Sequence, residues 1–211
     1  MNDVATSRSA AEWHHSRYGS LDQGWVHRRE RRLVAGLLAP LRGQVARCLD
    51  APAGYGRMLE PVLEALAPAQ VVCVDRHPAR LGAVPPGGPV QRVRCDLMSP
   101  LPFAARSFDL VVCCRFLQHV RAPGARAALI ARLAALCRGH LLLTYYERGT
   151  LHGLQRELFR RCGLRRGRPL EMVSTRALHD ELAAAGLEVL EDVALAPRLH
   201  AQRLVLARVR G

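Results

Sequence analysis

The sequence predicts an α/β fold, a doubly wound sheet of seven mostly parallel strands closed by a C-terminal antiparallel pair. Three observations carry this expectation. Short runs of β-type residues alternate with helical segments along most of the chain. Turns bearing glycine or proline separate the runs. The last two runs, EVLEDVALAP and HAQRLVLARV, are joined through so short a turn at Pro197 that they can pair only antiparallel.

Residues 1 to about 25 are polar with isolated aromatics (Trp13, Tyr18, Trp25), and His27 to Leu38 has the spacing of an amphipathic helix. Residues 1–40 therefore read as a helical cap ahead of a sheet domain over 41–211. VARCLD (Val45 to Asp50) is the first strand, APAGYGR a tight loop, and Arg57 to Leu66 a helix closed by Pro68. VVCVD (Val71 to Asp75) is the second strand; a short segment follows and dies in PPGGP, and VQRVRCD, the third, ends at Asp96. Each of these strands ends in an acid. FDLVVCC (Phe108 to Cys114) leads through Arg115 to Val120 into an alanine-rich helix, Ala125 to Cys137, and HLLLTYY (His140 to Tyr146) is the fifth strand. A basic insert over about 148–170 is helical at best. Thr175 to Ala185 is a helix with Ser174 as N-cap and Gly186 as its stop.

Composition removes several chemistries. All 31 basic residues are arginine, against 18 acids, for a net charge of +13. Without lysine there is no Schiff base, no phosphate-loop lysine and no lysine general base. The charge is a field that attracts anions. It clusters at Arg28, Arg29, Arg31 and Arg32, and again between Arg148 and Arg176, where eight arginines face only Glu157 and Glu171. The seven cysteines contain no CxxC pair, and Cys48, Cys73, Cys95, Cys113 and Cys114 fall in apolar runs, so buried packing is expected and no disulfide or metal framework. The longest stretch without charge, Leu81 to Gln91, has 11 residues with three prolines and three glycines, short of the roughly 18 that a membrane helix needs. With a polar, acidic N-terminus, the expectation is a cytoplasmic protein, monomer or homodimer.

In a doubly wound sheet ligands bind at the carboxyl ends of the strands. That rule gathers Asp50, Gly54, Gly56, Asp75 and Asp96 at one crevice. Glycine lets backbone approach a ligand where a Cβ would collide, and the following helix offers free amides. Asp75, 19 residues past Gly56, suits an acid accepting from two ribose hydroxyls, each bond worth roughly 1.5 to 3 kcal/mol. A dinucleotide fingerprint wants a third small residue where Leu59 stands. An acid ahead of the glycines suits a ligand with a cationic amino group instead.

LDAPAGYGR resembles motif I of the class I S-adenosylmethionine-dependent methyltransferases, in their small-molecule, methyltransferase-11-like type. VDRHPARL resembles the second motif, RCDLMSPLPFAARSFDLVVCCRFLQHV the third and fourth, and the closing pair the sixth and seventh strands, over about residues 40–209. The resemblance implies a Rossmann-like fold and S-adenosyl-L-methionine as cofactor. It places Asp50, Gly54 and Gly56 at the methionine end, with Ala51 and Tyr55 of the same motif also cofactor-binding. Asp75 then holds the ribose, Arg76 lies along the adenine, Asp96 and Leu97 meet the adenine edge, and Cys114 and Arg115 sit beneath the sulfonium. His119, at a QH-like position past the reacting methyl, could accept a proton. Arg57 departs from the pattern, standing where motif I has its third glycine. Structural alternatives stand beside these roles: Asp50 as a helix cap, Asp75 as a turn acid, Asp96 ending its strand, His119 supporting its loop. Neither Cys113 nor Cys114 follows the proline of nucleophilic-cysteine sites, so packing is expected of both.

Strand four ends in CCRF and not in the [DN]PP[FYW] of base-amine methylation. The expected acceptor is an oxygen or nitrogen of a small molecule or glycan. Its site would lie between the N-terminal cap (Trp13, His14, His15, Arg17, Tyr18), the fifth-strand end (Tyr145, Tyr146, Glu147) and the basic insert, and so many arginines favour an anionic acceptor. Two rivals are an RNA methyltransferase, which the charge suits but 5% aromatic residues do not, and a catalytically silent cofactor-binding adaptor.

Overall fold

The computed structural model describes residues 21–162 and 170–210. Helix α1 (Leu21–Leu38) runs into a 3-10 turn (Ala39–Leu41); then follow β1 (Arg47–Asp50), α2 (Leu59–Leu66), β2 (Gln70–Asp75), α3 (Pro78–Gly82) and β3 (Val90–Arg94). After these come β4 (Phe108–Cys113), a 3-10 turn (Leu117–His119), α4 (Ala125–Leu136), β5 (Cys137–Tyr146), α5 (Leu151–Arg161), α6 (Thr175–Ala184), β6 (Leu187–Ala194) and β7 (Gln202–Val209).

The strands form one seven-stranded sheet in the order β3-β2-β1-β4-β5-β7-β6. β1 to β5 pair in parallel, and β7 runs antiparallel to both β5 and β6. The expected fold class is the observed one. The central strands read as continuous apolar runs because both of their faces are covered. Side chains alternate across the sheet with a period of two. Leu49, Val111, Cys113, Leu141 and Leu143 pack on one face with Leu129, Ile130 and Leu133 of α4 and Leu178 and Leu182 of α6. Cys48, Leu110, Val112 and Leu142 pack on the other with Val34 and Leu38 of α1 and Leu59 and Val62 of α2. The N-terminal helix thus shares a core with the sheet.

Element boundaries differ from expectation where tertiary contacts decide them. α1 begins at Leu21, a full turn and more before His27. β3 stops at Arg94, opposite the last residue of β2, Asp75. Once its partner ends the ladder ends too, so Asp96 stands in the following loop and Cys95 is only half-buried. β5 starts at Cys137, directly on the end of α4. Gly139 makes that approach feasible, since a Cβ there would stand 2.5 Å from the Asp109 carbonyl oxygen. The cap on α6 is as expected, Ser174 Oγ accepting from the Ala177 amide at 3.3 Å. No helix among the described residues is long and apolar enough to cross a membrane.

Candidate active site

A cleft of about 820 Å³ opens over the carboxyl ends of the parallel strands. The β1–α2 loop forms its floor. Two backbone bonds pin that loop between neighbouring strands, Ala51 N–H to the Val112 carbonyl (2.9 Å) and Ala53 N–H to the Val74 carbonyl (2.7 Å). Gly54 takes a left-handed φ of +58° with open space where a Cβ would be, and its N–H donates to Asp75 Oδ2 at 3.1 Å. Gly54, Tyr55 and Arg57 line the cleft. Ala51 and Gly56 do not. Ala51 is fully buried among the strands, and Gly56 turns beneath the loop, where a Cβ would touch Val84 at 3.4 Å.

Asp50 ends β1 just under this floor, 1% exposed, and neither carboxylate oxygen has a hydrogen-bond partner. Burial pushes its carboxyl up to about 7, with Arg57 opposing and Asp75 adding to the shift. It caps nothing: the α2 N-cap is Met58, without a side-chain bond. An unsatisfied buried carboxylate is costly, and Asp50 lies behind the cleft lining and not in it.

Asp75 is 3% exposed and lines the cleft. Its Oδ1 accepts from the His77 amide (2.8 Å) and its Oδ2 from Gly54. It is therefore a turn acid as well, but each oxygen keeps a second lone pair for a hydroxyl donor. Beyond it, Arg76 Nη1 lies 3.6 Å from Asp96 Oδ2, while Asp96 Oδ1 accepts from the Met98 amide (3.0 Å) and Leu97 is buried alongside. This end of the cleft, over β2 and β3, has two acids and one hydrophobic wall.

The other end lies over β4 and β5. Cys114 is buried, and burial, with Glu30 and Asp50 adding, holds its thiol far above the ordinary range, so it stays protonated. Arg115, at φ +54°, donates its amide to Thr144 Oγ1 (2.6 Å). Its guanidinium binds Glu30 through Nη2 (2.8 Å) and Nε (3.2 Å), and Arg57 Nη1 reaches the same carboxylate at 3.0 Å. The Gln202 amide also donates to Glu30. Burial alone would raise the Glu30 carboxyl; Arg57 and Arg115 overcome it and hold the group below its ordinary value. This knot joins α1, the motif I loop, the end of β4 and the start of β7. Glu30, Arg57 as its partner, and Gln118 are the functional-site residues the sequence pattern did not single out. Gln118 is 4% exposed, lines the cleft, and carries a buried Oε1 without a partner. His119 is exposed at the cleft beside it, with Nε2 3.5 Å from Gln118 Nε2.

Of the expected acceptor residues, Tyr146 lines the cleft. Tyr145 and Glu147 do not, a correction to the sequence expectation. The pleat sends Tyr145 to the opposite face, where its hydroxyl donates to Asp192 (2.9 Å) and lies 2.8 Å from Thr175 Oγ1. Glu147 accepts from Thr175 Oγ1 (2.8 Å) and from Arg203 (3.2 Å). Among the described residues of the basic insert only Leu170 lines the cleft. His14, Arg17 and Tyr18, with Trp13 and His15, lie outside the described residues.

Comparison with known proteins agrees with this geometry. The family described as methyltransferase domain matches residues 23–192. No curated protein matches the sequence. Among solved structures, magnesium protoporphyrin IX methyltransferase from Synechocystis PCC 6803, with SAH bound, superposes at a TM-score of 0.72 with 21% identity, over 92% of each chain. A Haloferax volcanii putative methyltransferase, in complex with the Trm112 activator, gives 0.70 and 15%, over 94% of this chain and 95% of that one. Human N-acetylserotonin methyltransferase with SAM gives 0.61 and 16%, over 99% of this chain and 64% of that one. Such identities establish a common fold. The domain match extends over most of the chain, and the sheet order and cleft agree with it: the chain belongs to the methyltransferase domain family and is a class I S-adenosylmethionine-dependent methyltransferase.

Proposed function

We propose that the protein methylates an oxygen or nitrogen atom of a small anionic molecule, a metabolite or a glycan. The observation that carries this is where the acids of the cleft lie, since arginines line both ends and acids only one. Both carboxylates of the described lining, Asp75 and Asp96, belong to the β2 and β3 end, and the described lining over β4 and β5 holds Arg115, His119 and Arg121 with no acid. Beneath that second half two guanidiniums share one Glu30 carboxylate, and the arginine side chains of the lining would attract an anionic acceptor.

When bound, S-adenosylmethionine supplies an electrophilic methyl on a sulfonium. The residues divide the rest of the work. Asp50 would hold the cofactor's ammonium, the loop through Ala51, Gly54, Tyr55 and Gly56 would shape its floor, and Asp75 would hold the ribose. Arg76, Asp96 and Leu97 would hold the adenine. Cys114 and Arg115 would flank the methyl-donating end, the Arg115 side chain fixed by Glu30. His119 takes the proton released as the acceptor is methylated, Gln118 orients the acceptor, and Arg121 and Tyr146 hold its anionic group. Alignment in the cleft would supply much of the roughly 7 to 11 kcal/mol that orientation can contribute. RNA is disfavoured because the described cleft half offers Phe116 and Tyr146 as its only aromatics beside His119, little for stacking bases.

Initial rates with labelled cofactor, on acceptor pairs that differ by one carboxylate or phosphate, test the proposal. Only the charged member of a pair should be turned over well, and Arg121→Gln should raise its KM about tenfold at unchanged kcat, the loss expected for one charged hydrogen bond. Equal turnover of neutral analogues overturns it, as does RNA methylation that fades steeply with salt.

A further inference from the structure

We propose that α5 and the adjoining Leu199 turn form a surface that docks the protein onto an anionic lipid membrane. The described residues of the basic insert contribute only Leu170 to the cleft. α5 packs on the body through Gly153, where an added Cβ would meet the Met172 sulfur at 3.2 Å and Thr150 Oγ1 at 3.3 Å. Its large apolar side chains face outward: Leu151 is 59% exposed, Leu154 63%, Leu158 58% and Phe159 38%. Their spacing places them on one stripe, the face an ordinary surface helix turns inward. Leu199, 63% exposed, extends the stripe, because the Leu151 amide donates to the Arg198 carbonyl at 3.0 Å and ties the two segments together.

Charge selects the occupant. Arg148 and Arg198 are exposed at this surface, and the chain from Arg148 to Arg176 carries eight arginines against Glu157 and Glu171 within a net charge of +13. An apolar stripe with the exposed arginines Arg148 and Arg198 beside it matches the two layers of an anionic bilayer, phosphate headgroups above acyl chains. α5 follows Tyr146 at the cleft by a few residues, so docking through this helix would set the active site close to the membrane surface.

Co-sedimentation of the full-length protein with vesicles tests this. Phosphatidylglycerol-containing vesicles should retain the protein and pure phosphatidylcholine vesicles should not, with retention falling as salt rises. The double variant L154E/L158E should lose at least tenfold in vesicle affinity while calorimetric cofactor binding stays as in wild type, which shows that the fold survives. Failure of wild type to bind anionic vesicles, or equal binding by the variant, overturns the proposal. So does a variant that changes the oligomeric state and leaves vesicle binding alone, the result expected of a protein-protein surface.

Discussion

Glu30 and Asp50 are both sealed from solvent beneath one cleft and both feel Arg57, yet they have opposite surroundings. Glu30 receives two guanidiniums and an amide from segments far apart in the chain. Asp50 receives no hydrogen bond. The carboxyl of the first is held below its ordinary value and that of the second rises to about 7. Burial therefore does not by itself decide the state of an acid; the donors around it do. A saturated buried carboxylate is an element of architecture, and a bare one is, in the function proposed above, a place kept for a ligand.

The largest effect should come from breaking the saturated member. Glu30→Ala leaves Arg57 and Arg115 facing each other in a buried site, and loss of one partner of such a knot costs about 3 to 5 kcal/mol. Denaturant unfolding near neutral pH measures it, and wild-type stability in the variant would mean that the knot is incidental. The sign with pH follows from the lowered carboxyl. Its contribution is complete above the ordinary value of 4.5 and is lost as pH falls through the lower folded value.

Asp50→Asn should act in the opposite direction. An acid whose folded value is raised destabilises the fold progressively as pH climbs from 3.8 to about 7, and by a constant amount above that. At about 1.4 kcal/mol per pH unit the penalty reaches at most about 4 kcal/mol, which the amide removes. The variant should be more stable than wild type at pH 8 and nearly equal at pH 4, and it should bind S-adenosylmethionine at least tenfold more weakly. Wild-type affinity should fall below pH 7 as protons compete for Asp50, and the variant's should not. A variant with wild-type affinity and no gain in stability would place Asp50 among ordinary core residues.

These two acids also mark what the sequence makes legible. Asp50 is legible because strand ends face the crevice in this architecture, and the run VARCLD announces its strand. Asp75 and Asp96 follow by the same rule, although β3 itself stops earlier because β2 gives it no further partner. Glu30 is hidden. Its partners Arg115 and Gln202 lie 85 and 172 residues away, while the local pattern HRRERR suggests pairing along the helix surface. Alternation in a strand likewise says that Tyr145 and Tyr146 point to opposite sides, and only the packing of α6 on the sheet decides which one meets the cleft.

That last distinction supports the smallest test of the comparison, now between a saturated acid at the cleft and one away from it. Asp192 accepts from Tyr145 (2.9 Å), His179 (2.8 Å) and Arg203 (2.8 Å), as richly supplied as Glu30 but on the far side of β5. Tyr145→Phe removes one of those donors and leaves the other two, so the loss should be about 1.5 to 3 kcal/mol, that of a single hydrogen bond to a charged acceptor. Because the hydroxyl faces away from the cleft, kcat and KM should match wild type. Tyr146→Phe, on the next residue, should raise the acceptor KM and leave stability nearly unchanged. If Tyr145→Phe impaired turnover, the network around Asp192 would have to reach the acceptor after all, and saturation would no longer separate architecture from chemistry in this molecule.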